Sequence, residues 1–197
     1  MTHHLPGGHE HTGKSSKDFL DVELILRETG LKKGNTLLDI GCGEGFFSIA
    51  ASQIIGKRGK VYAVDNYTES IDVLRERITR DNIVNIEAIV ADVTKKIPLG
   101  DQVIDVGLMV NVLHGFFANR EIDGTMREVA RVIKHGAILA VVDFKQIEGP
   151  HGPPVSIRLS PHDTEEWITP YGFRTSRVLD VGQQHYMAIF NKVADKT

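Results

Sequence analysis

The chain alternates short, almost wholly apolar runs with longer segments whose apolar residues recur at helical spacing. Five runs have the length and apolar character of strands buried on both faces: TLLDI, KVYAVD, NIEAIVAD, VIDVGLMV and AILAVVDF. Three segments have the spacing of helices: GFFSIAASQII, TESIDVLRERITRD and NREIDGTMREVARVI, the last ended by KHG. An earlier helix is predicted from Lys17 to Gly30. Strands that alternate with helices predict an α/β fold with a parallel sheet covered on both faces.

The C-terminal quarter follows a different pattern. The segment GPHGPP contains three prolines, which deny it regular hydrogen bonding and predict a loop. A helix is predicted to follow, with Ser160 as its N-cap and Pro161 at its first position. The runs RTSRVLDV and HYMAIFN then predict an antiparallel hairpin. Residues 17–197 are therefore predicted to form one domain with a mostly parallel, seven-stranded sheet.

Residues 1–16 are rich in His, Gly, Thr, Ser and Lys, and they predict a flexible arm. Four histidines lie in this arm: His3, His4, His9 and His11. Three interpretations stay open for them: binding of a transition metal, a lid over an occupied site, or no function. No metal site is predicted elsewhere, because Cys42 is the only cysteine and excludes a multi-cysteine site.

Charge and hydropathy restrict the partners of the chain. A net charge of −3 gives no reason to expect a nucleic acid or a membrane surface as partner. The sequence contains no apolar stretch of transmembrane length and no signal-peptide pattern, so a cytoplasmic location is expected.

The junction between the first strand and the next helix carries glycines at alternate positions, Gly41, Gly43 and Gly45, with Asp39 two residues ahead. A strand, a glycine loop and a helix in succession present backbone N–H groups to a ligand. A P-loop would need a lysine followed by serine or threonine at its end, which this loop lacks. A dinucleotide fingerprint would need a third glycine at position 46, where the chain has Phe46.

The pattern D-x-G-x-G-x-G resembles motif I of the class I S-adenosylmethionine-dependent methyltransferases, whose loop wraps the methionine part of the cofactor. The resemblance covers about residues 17–192. It implies a Rossmann-like three-layer sandwich, S-adenosylmethionine as cofactor and S-adenosylhomocysteine as product. The layout looks most like small-molecule methyltransferases, including the quinone C-methylating and arsenite-methylating branches. The GPP loop followed by RLSPHDTEEWITPYGF resembles a group of compact bacterial and archaeal methyltransferases whose substrates are mostly unassigned. The arsenite branch is disfavoured because it uses several cysteines. A small-molecule acceptor of open identity and a monomer or homodimer are expected.

The same resemblance assigns side chains to the cofactor. It implies that Asp39 supplies negative charge to the cationic cofactor and that Asp65 accepts hydrogen bonds from both ribose hydroxyls. It also implies that Asp92 binds the adenine amino group, with a local capping role as the alternative. Tyr67 is predicted either to pack on the adenine or to be a plain surface residue. The full set of predicted cofactor residues is Asp39, Gly41, Cys42, Gly43, Gly45, Asp65, Asn66, Asp92, Val93 and Asn111.

His114, in NVLHGFF after the fourth strand, is the predicted catalytic residue. Methyl transfer depends mainly on positioning, and a base is needed only for an acceptor with a high-pKa proton. Histidine can accept such a proton near neutral pH. A polar loop role or a packing role is the alternative. Arg158 is a candidate clamp for an anionic acceptor. Four aromatic residues are candidate pocket walls or core: Phe19, Phe116, Phe117 and Tyr171.

Three other functions compete with methyl transfer. A nicotinamide-dependent oxidoreductase is disfavoured by Phe46. A nucleic-acid methyltransferase is disfavoured by the charge and by NVLH, which stands where the amino-methylating enzymes carry an Asn/Asp-Pro-Pro-Tyr motif. A non-catalytic protein that binds S-adenosylmethionine stays open.

Overall fold

The computed structural model describes residues 20–194. The strands in this part are β1 Thr36–Ile40, β2 Lys60–Asp65, β3 Ile86–Val90, β4 Ile104–Val110, β5 Ile133–Phe144, β6 Phe173–Asp180 and β7 His185–Lys192. The helices are α1 Val22–Glu28, α2 Phe46–Ile55, α3 Thr68–Arg80, α4 Leu113–Ala118, α5 Ile122–Val132 and α6 Pro161–Ile168. The predicted arm, its four histidines and Phe19 lie outside the described residues.

The seven strands form one sheet in the order β3-β2-β1-β4-β5-β7-β6. Strands β1 to β5 pair in parallel, and β7 lies antiparallel between β5 and β6. The Rossmann-like, mostly parallel sheet with a C-terminal antiparallel hairpin is therefore confirmed. Two apolar clusters cover the sheet, and neighbouring residues of β1 belong to different clusters. Leu37 lies in the cluster that includes Phe47 of α2, and Leu38 lies in the cluster that includes Met126 of α5. This alternation places a core on each face of the sheet.

Strand β5 begins earlier than the sequence indicates. The KHG segment, predicted to end a helix, lies inside β5. Ile104 of β4 pairs with Ile133, but Val106 pairs with Ile138, so β5 holds extra residues there as a bulge. Gly136 adopts a φ of 77° within this bulge. A glycine in the left-handed region is compatible with a bulge as well as with a helix end, and here it marks the bulge.

Helices α4 and α6 differ in how well the sequence predicted them. Helix α4 was not predicted as a separate element, and it follows directly on the turn after β4. Helix α6 begins as predicted: the Ser160 side chain accepts a hydrogen bond from the Asp163 N–H, and the Asp163 carboxylate accepts one from the Ser160 N–H. None of the helices within residues 20–194 is long and apolar enough to cross a membrane.

Candidate functional site

A cleft of about 1280 Å³ opens at the carboxyl ends of the parallel strands. Open α/β sheets bind their ligands at this edge, where neighbouring connections diverge to opposite sides. Small-molecule sites commonly enclose about 300–1,000 Å³, so this cleft has room for a cofactor and a second molecule. Nine of the ten predicted cofactor residues line it, together with His114, and Gly45 does not.

The glycine loop follows β1 and lines the part of the cleft here called the loop end. Gly41, Gly43 and Gly45 adopt φ values of 68°, 52° and 76°, which favour glycine at all three positions. A Cβ at Gly41 would lie 2.6 Å from Val112 Cγ1, and one at Gly45 would lie 2.3 Å from Leu74 Cδ1. Gly43 has open space where a side chain would stand. Gly45 therefore makes room for Leu74 of α3 and Gly41 for Val112, whereas Gly43 leaves backbone open to the cleft.

Asp65, the last residue of β2, holds this loop in place. Its Oδ2 accepts a hydrogen bond from the Gly43 N–H at 2.8 Å, and its Oδ1 accepts one from the Tyr67 N–H at 2.9 Å. Each carboxylate oxygen has a second lone pair, so both can accept a further hydrogen bond from a ligand. Asn66 and Tyr67 also line the cleft, and Tyr67 is 54% exposed.

Asp39 lies beneath the loop and is only 3% exposed. Its Oδ2 accepts a hydrogen bond from Ser48 Oγ at 2.6 Å. Burial raises the pKa of Asp39 to about 6; the hydrogen bond from Ser48 opposes this rise, and the nearby charge of Asp65 adds to it. Burial disfavours the ionised form of Asp39, and the positive charge of a cationic ligand in the cleft would favour it.

Two other predicted cofactor residues are engaged in local structure. Asp92 Oδ1 accepts hydrogen bonds from Thr94 N and Oγ1 at 3.0 and 2.6 Å, and its Oδ2 pairs with Lys95 Nζ at 2.9 Å. The hydrogen bond from the Thr94 hydroxyl is the main cause that holds the pKa of Asp92 below its ordinary value. The Cys42 thiol lies 3.5 Å from the Gly43 carbonyl oxygen, and burial raises its pKa. The thiol is therefore neutral and fits the tight turn as a small residue.

Asn111 turns the chain from β4 toward α4 at the centre of the cleft. It has a φ of 57°, which is uncommon for a residue other than glycine. Its N–H donates to the Val142 carbonyl at 2.8 Å, which continues the β4–β5 pairing by one residue. This turn sets the entry to α4 and so the position of His114.

His114 and Asp143 form a buried pair, 3% and 0% exposed. His114 Nδ1 lies 2.7 Å from Asp143 Oδ1, and the His114 N–H donates to Asp143 Oδ2 at 3.0 Å. The Phe144 N–H also donates to Oδ1, at 2.8 Å. An ionised carboxylate only accepts hydrogen bonds, so we assign the imidazole proton to Nδ1 and the lone pair to Nε2. The arrangement orients a histidine as a base.

The part of the cleft beside the ends of β4 and β5, here called the histidine half, is lined by His114, Phe116, Phe144, Gly152 and His185. The Phe144 ring centroid lies 6.0 Å from that of His114 and 4.2 Å from that of His185. Sequence reasoning missed His185 and the pairing of Asp143 with His114. An aspartate at the end of an apolar strand was the available signal, since such a buried acid needs a partner.

Arg158 holds the loop beside the histidine half. Its guanidinium carbon lies 5.2 Å from the Phe144 ring centroid. Its N–H groups donate to four backbone carbonyl groups, those of Lys145, Ile147, His151 and Pro153. The guanidinium N–H groups of Arg158 are therefore used to hold the loop, and the prediction that Arg158 clamps an anionic acceptor is wrong.

The predicted aromatic walls divide into two groups. Phe116 lines the cleft. The Phe117 ring packs on Trp167 at 6.0 Å, and the Tyr171 hydroxyl donates to Asp123 Oδ1 at 2.7 Å, so both stabilise the packing around α5 and α6.

The sheet order, the glycine loop and the acid at the end of β2 define a Rossmann-like protein with a site for a nucleoside-containing cofactor. The model of the methyltransferase domain family matches residues 31–192. The chain therefore belongs to this family, and the resemblance to class I S-adenosylmethionine-dependent methyltransferases is confirmed. The oxidoreductase alternative is not supported.

Individual relatives agree with this assignment. The solved structure of a SAM-dependent methyltransferase from Aquifex aeolicus is 31% identical, has a TM-score of 0.83, and aligns over 90% of this chain and 93% of its own. The 2-phytyl-1,4-naphtoquinone methyltransferase of Nostoc punctiforme is 28% identical over 65% of this chain and 54% of its own. The ubiquinone/menaquinone biosynthesis C-methyltransferase UbiE of Neisseria meningitidis serogroup C is 31% identical over 61% and 47%. The chain thus matches about half the length of these curated relatives.

Proposed function

We propose that the chain transfers a methyl group from S-adenosylmethionine to a small-molecule acceptor and releases S-adenosylhomocysteine. The observation that carries this proposal is one continuous cleft that contains both the glycine loop and the His114–Asp143 pair. The loop end has the backbone and carboxylate groups to hold a cofactor, and the other end has an oriented base. The cofactor supplies an electrophilic methyl group.

The residues at the loop end fit this cofactor. Gly41 and Gly43 both line the cleft, and the backbone at Gly43 has open space above it, as a close approach to the methionine part requires. Asp65 has lone pairs left for the ribose hydroxyls, and buried Asp39 favours a positively charged ligand. Since Asp92 pairs with Thr94 and Lys95, we propose that its turn shapes the adenine end together with the lining residue Val93.

His114 is the proposed base. With its Nδ1 proton held by Asp143, Nε2 can accept a proton from the nucleophilic atom of the acceptor. Asp143 fixes the tautomer and stabilises the imidazolium that forms. Burial of the pair keeps it in a fixed orientation, which favours the alignment that an in-line displacement needs.

We further propose that residues 17–197 act as one domain in the cytoplasm, as a monomer or homodimer, with the His-rich segment 1–16 as an arm. The net charge of −3 is consistent with a small-molecule partner rather than nucleic acid.

Calorimetric titration with S-adenosylhomocysteine and with NAD tests the cofactor. We expect binding of the first and not of the second, and at least tenfold weaker binding by Asp65→Ala. Asp72→Ala, on the exposed face of α3, is the control. NAD binding without S-adenosylhomocysteine binding would overturn the proposal. A screen of candidate acceptors, with release of S-adenosylhomocysteine as the readout, then tests for catalysis. An enzyme releases S-adenosylhomocysteine with at least one acceptor, and a non-catalytic binding protein releases none.

A further inference from the structure

His185 is a buried polar side chain in the histidine half for which the proposed transfer has no role. It is the first residue of β7, and the antiparallel register places it opposite Phe144 at the end of β5. It is 3% exposed, and its ring lies 4.2 Å from that of Phe144. Its Nε2 has no hydrogen-bond partner and less than 1 Å² of accessible surface, so a ligand in the cleft reaches this atom only with a small shift of the ring. Buried polar atoms in native proteins are nearly always paired, so an unpaired one in a cleft indicates a ligand.

The surroundings of His185 specify an uncharged ligand group. Burial lowers the pKa of His185 to about 4, so its imidazole is neutral at physiological pH. The guanidinium of Arg158 is bound to loop carbonyls, and Lys145 Nζ pairs with Asp180 at 3.0 Å. Among the described residues that line the histidine half, none is a lysine or an arginine. The carboxylate of Asp143 acts on His185 more strongly than the charges of Arg158 and Lys145 do, so an anionic group buried there would face a like charge.

The surface beside the His185 ring is formed by the Phe144 ring and the backbone packed on it, and it is held in place. The backbone of Gly152 packs on Phe144, since a Cβ at Gly152 would lie 2.6 Å from Phe144 Cε1. Arg158 fixes the same loop through the carbonyls of His151 and Pro153. A ligand that reaches His185 therefore contacts aromatic and backbone surface, with one imidazole nitrogen to satisfy.

We propose that His185 is an acceptor-binding residue whose Nε2 hydrogen-bonds an uncharged hydroxyl or carbonyl group of the methyl acceptor. The acceptor class is then an uncharged molecule with an apolar or aromatic body that packs on Phe144 and Phe116. The inference rests on the proposed methyl transfer. With the Phe144 ring in contact with both histidines, His185 binds one polar group of the acceptor while the nucleophilic atom is presented to His114.

Three fragment probes test this inference on the protein saturated with S-adenosylhomocysteine: phenol, toluene and benzoate. Their dissociation constants are measured by NMR on protein with 15N-labelled histidine. We expect phenol to bind about threefold to tenfold more tightly than toluene or benzoate, the range of one hydrogen bond. We also expect phenol, but not toluene, to shift the His185 side-chain nitrogen signals.

Two variants separate binding from packing. His185→Phe should abolish the preference for phenol over toluene, and His185→Gln, which keeps a hydrogen-bonding end, should retain part of it. Both should keep the wild-type affinity for S-adenosylhomocysteine. The inference is overturned by an unchanged preference in His185→Phe, by toluene or benzoate binding as tightly as phenol, or by no phenol binding to the wild type.

If His185→Phe does not fold, the nitrogen signals of the wild type decide, and a His185 signal that phenol leaves in place overturns the inference. Failure of S-adenosylhomocysteine to bind the wild type is a different result, because it contradicts the proposed function itself.

Discussion

Replacing Asp39 by asparagine should stabilise the protein at neutral pH. Asp39 is buried, and burial raises its pKa from 3.8 to about 6. The native state therefore holds the proton more tightly than the unfolded chain, and it binds more protons between about pH 4 and pH 6. Stability from this group is fully present below pH 4 and falls as the pH rises through 6. The difference in pKa corresponds to about 3 kcal/mol above pH 6.

Asparagine removes the charge and keeps an oxygen that can accept the hydrogen bond from Ser48 Oγ. Urea unfolding of wild type and Asp39→Asn at intervals from pH 4 to pH 8 measures the effect. The free energy of unfolding of the variant minus that of the wild type should rise by about 3 kcal/mol between pH 4 and pH 7 and then level off. The same variant should lose affinity for S-adenosylmethionine more than for S-adenosylhomocysteine, because only the former carries a sulfonium charge.

Asp72→Asn is the control for the substitution itself. Asp72 is exposed on α3, and its replacement should change stability by less than about 0.5 kcal/mol at each pH. A stability difference between Asp39→Asn and wild type that stays constant from pH 4 to pH 8 would refute the argument. So would a difference that falls with pH, since Asp39 would then be stabilised as an anion.

Three further predictions follow from the site and the core. His114→Ala should lower turnover by about 10²–10⁴-fold, measured as a pH–rate profile, with affinity for S-adenosylhomocysteine within threefold of wild type; full turnover across pH would contradict a base. Arg158→Met should lower the free energy of unfolding by about 2–4 kcal/mol in urea, because loop carbonyls lose their donors; a smaller loss than 1 kcal/mol would contradict this. Gly45→Ala should cost more than Gly136→Ala in thermal unfolding, since φ is 76° and 77° but only Gly45 faces a side chain, that of Leu74; equal costs would show that backbone strain alone matters.

Features that depend on local sequence could be predicted. The glycine loop is a strand-to-helix turn, and the left-handed φ values of Gly41 and Gly43 follow from residue type. Asp65 could be placed because it ends a buried strand, and parallel strands end at one edge of the sheet. His114 could be placed for the same reason, although helix α4, which carries it, was not predicted.

Features that depend on contacts distant in sequence could not be predicted. Asp143 meets His114 only because β4 and β5 are neighbours. His185 reaches the cleft because β7 inserts between β5 and β6, and the order of the hairpin strands in the sheet is not encoded in either strand. Arg158 was assigned to a ligand because its charge was visible in the sequence and its carbonyl partners were not.

Three energetically costly features of this fold lie at the cleft. Asp39 carries a buried charge, Asn111 adopts a left-handed backbone, and His185 Nε2 is buried without a partner. Among the described residues, Thr175 Oγ1 on the edge strand β6 is also buried without a partner, and it lies outside the cleft. Strained and unsatisfied groups persist where function retains them. Asp39 belongs to the loop end and His185 to the histidine half, so one site would favour a cation at the first and an uncharged polar group at the second. That difference in chemistry between the two ends is what a transfer from a cationic donor to a neutral acceptor requires.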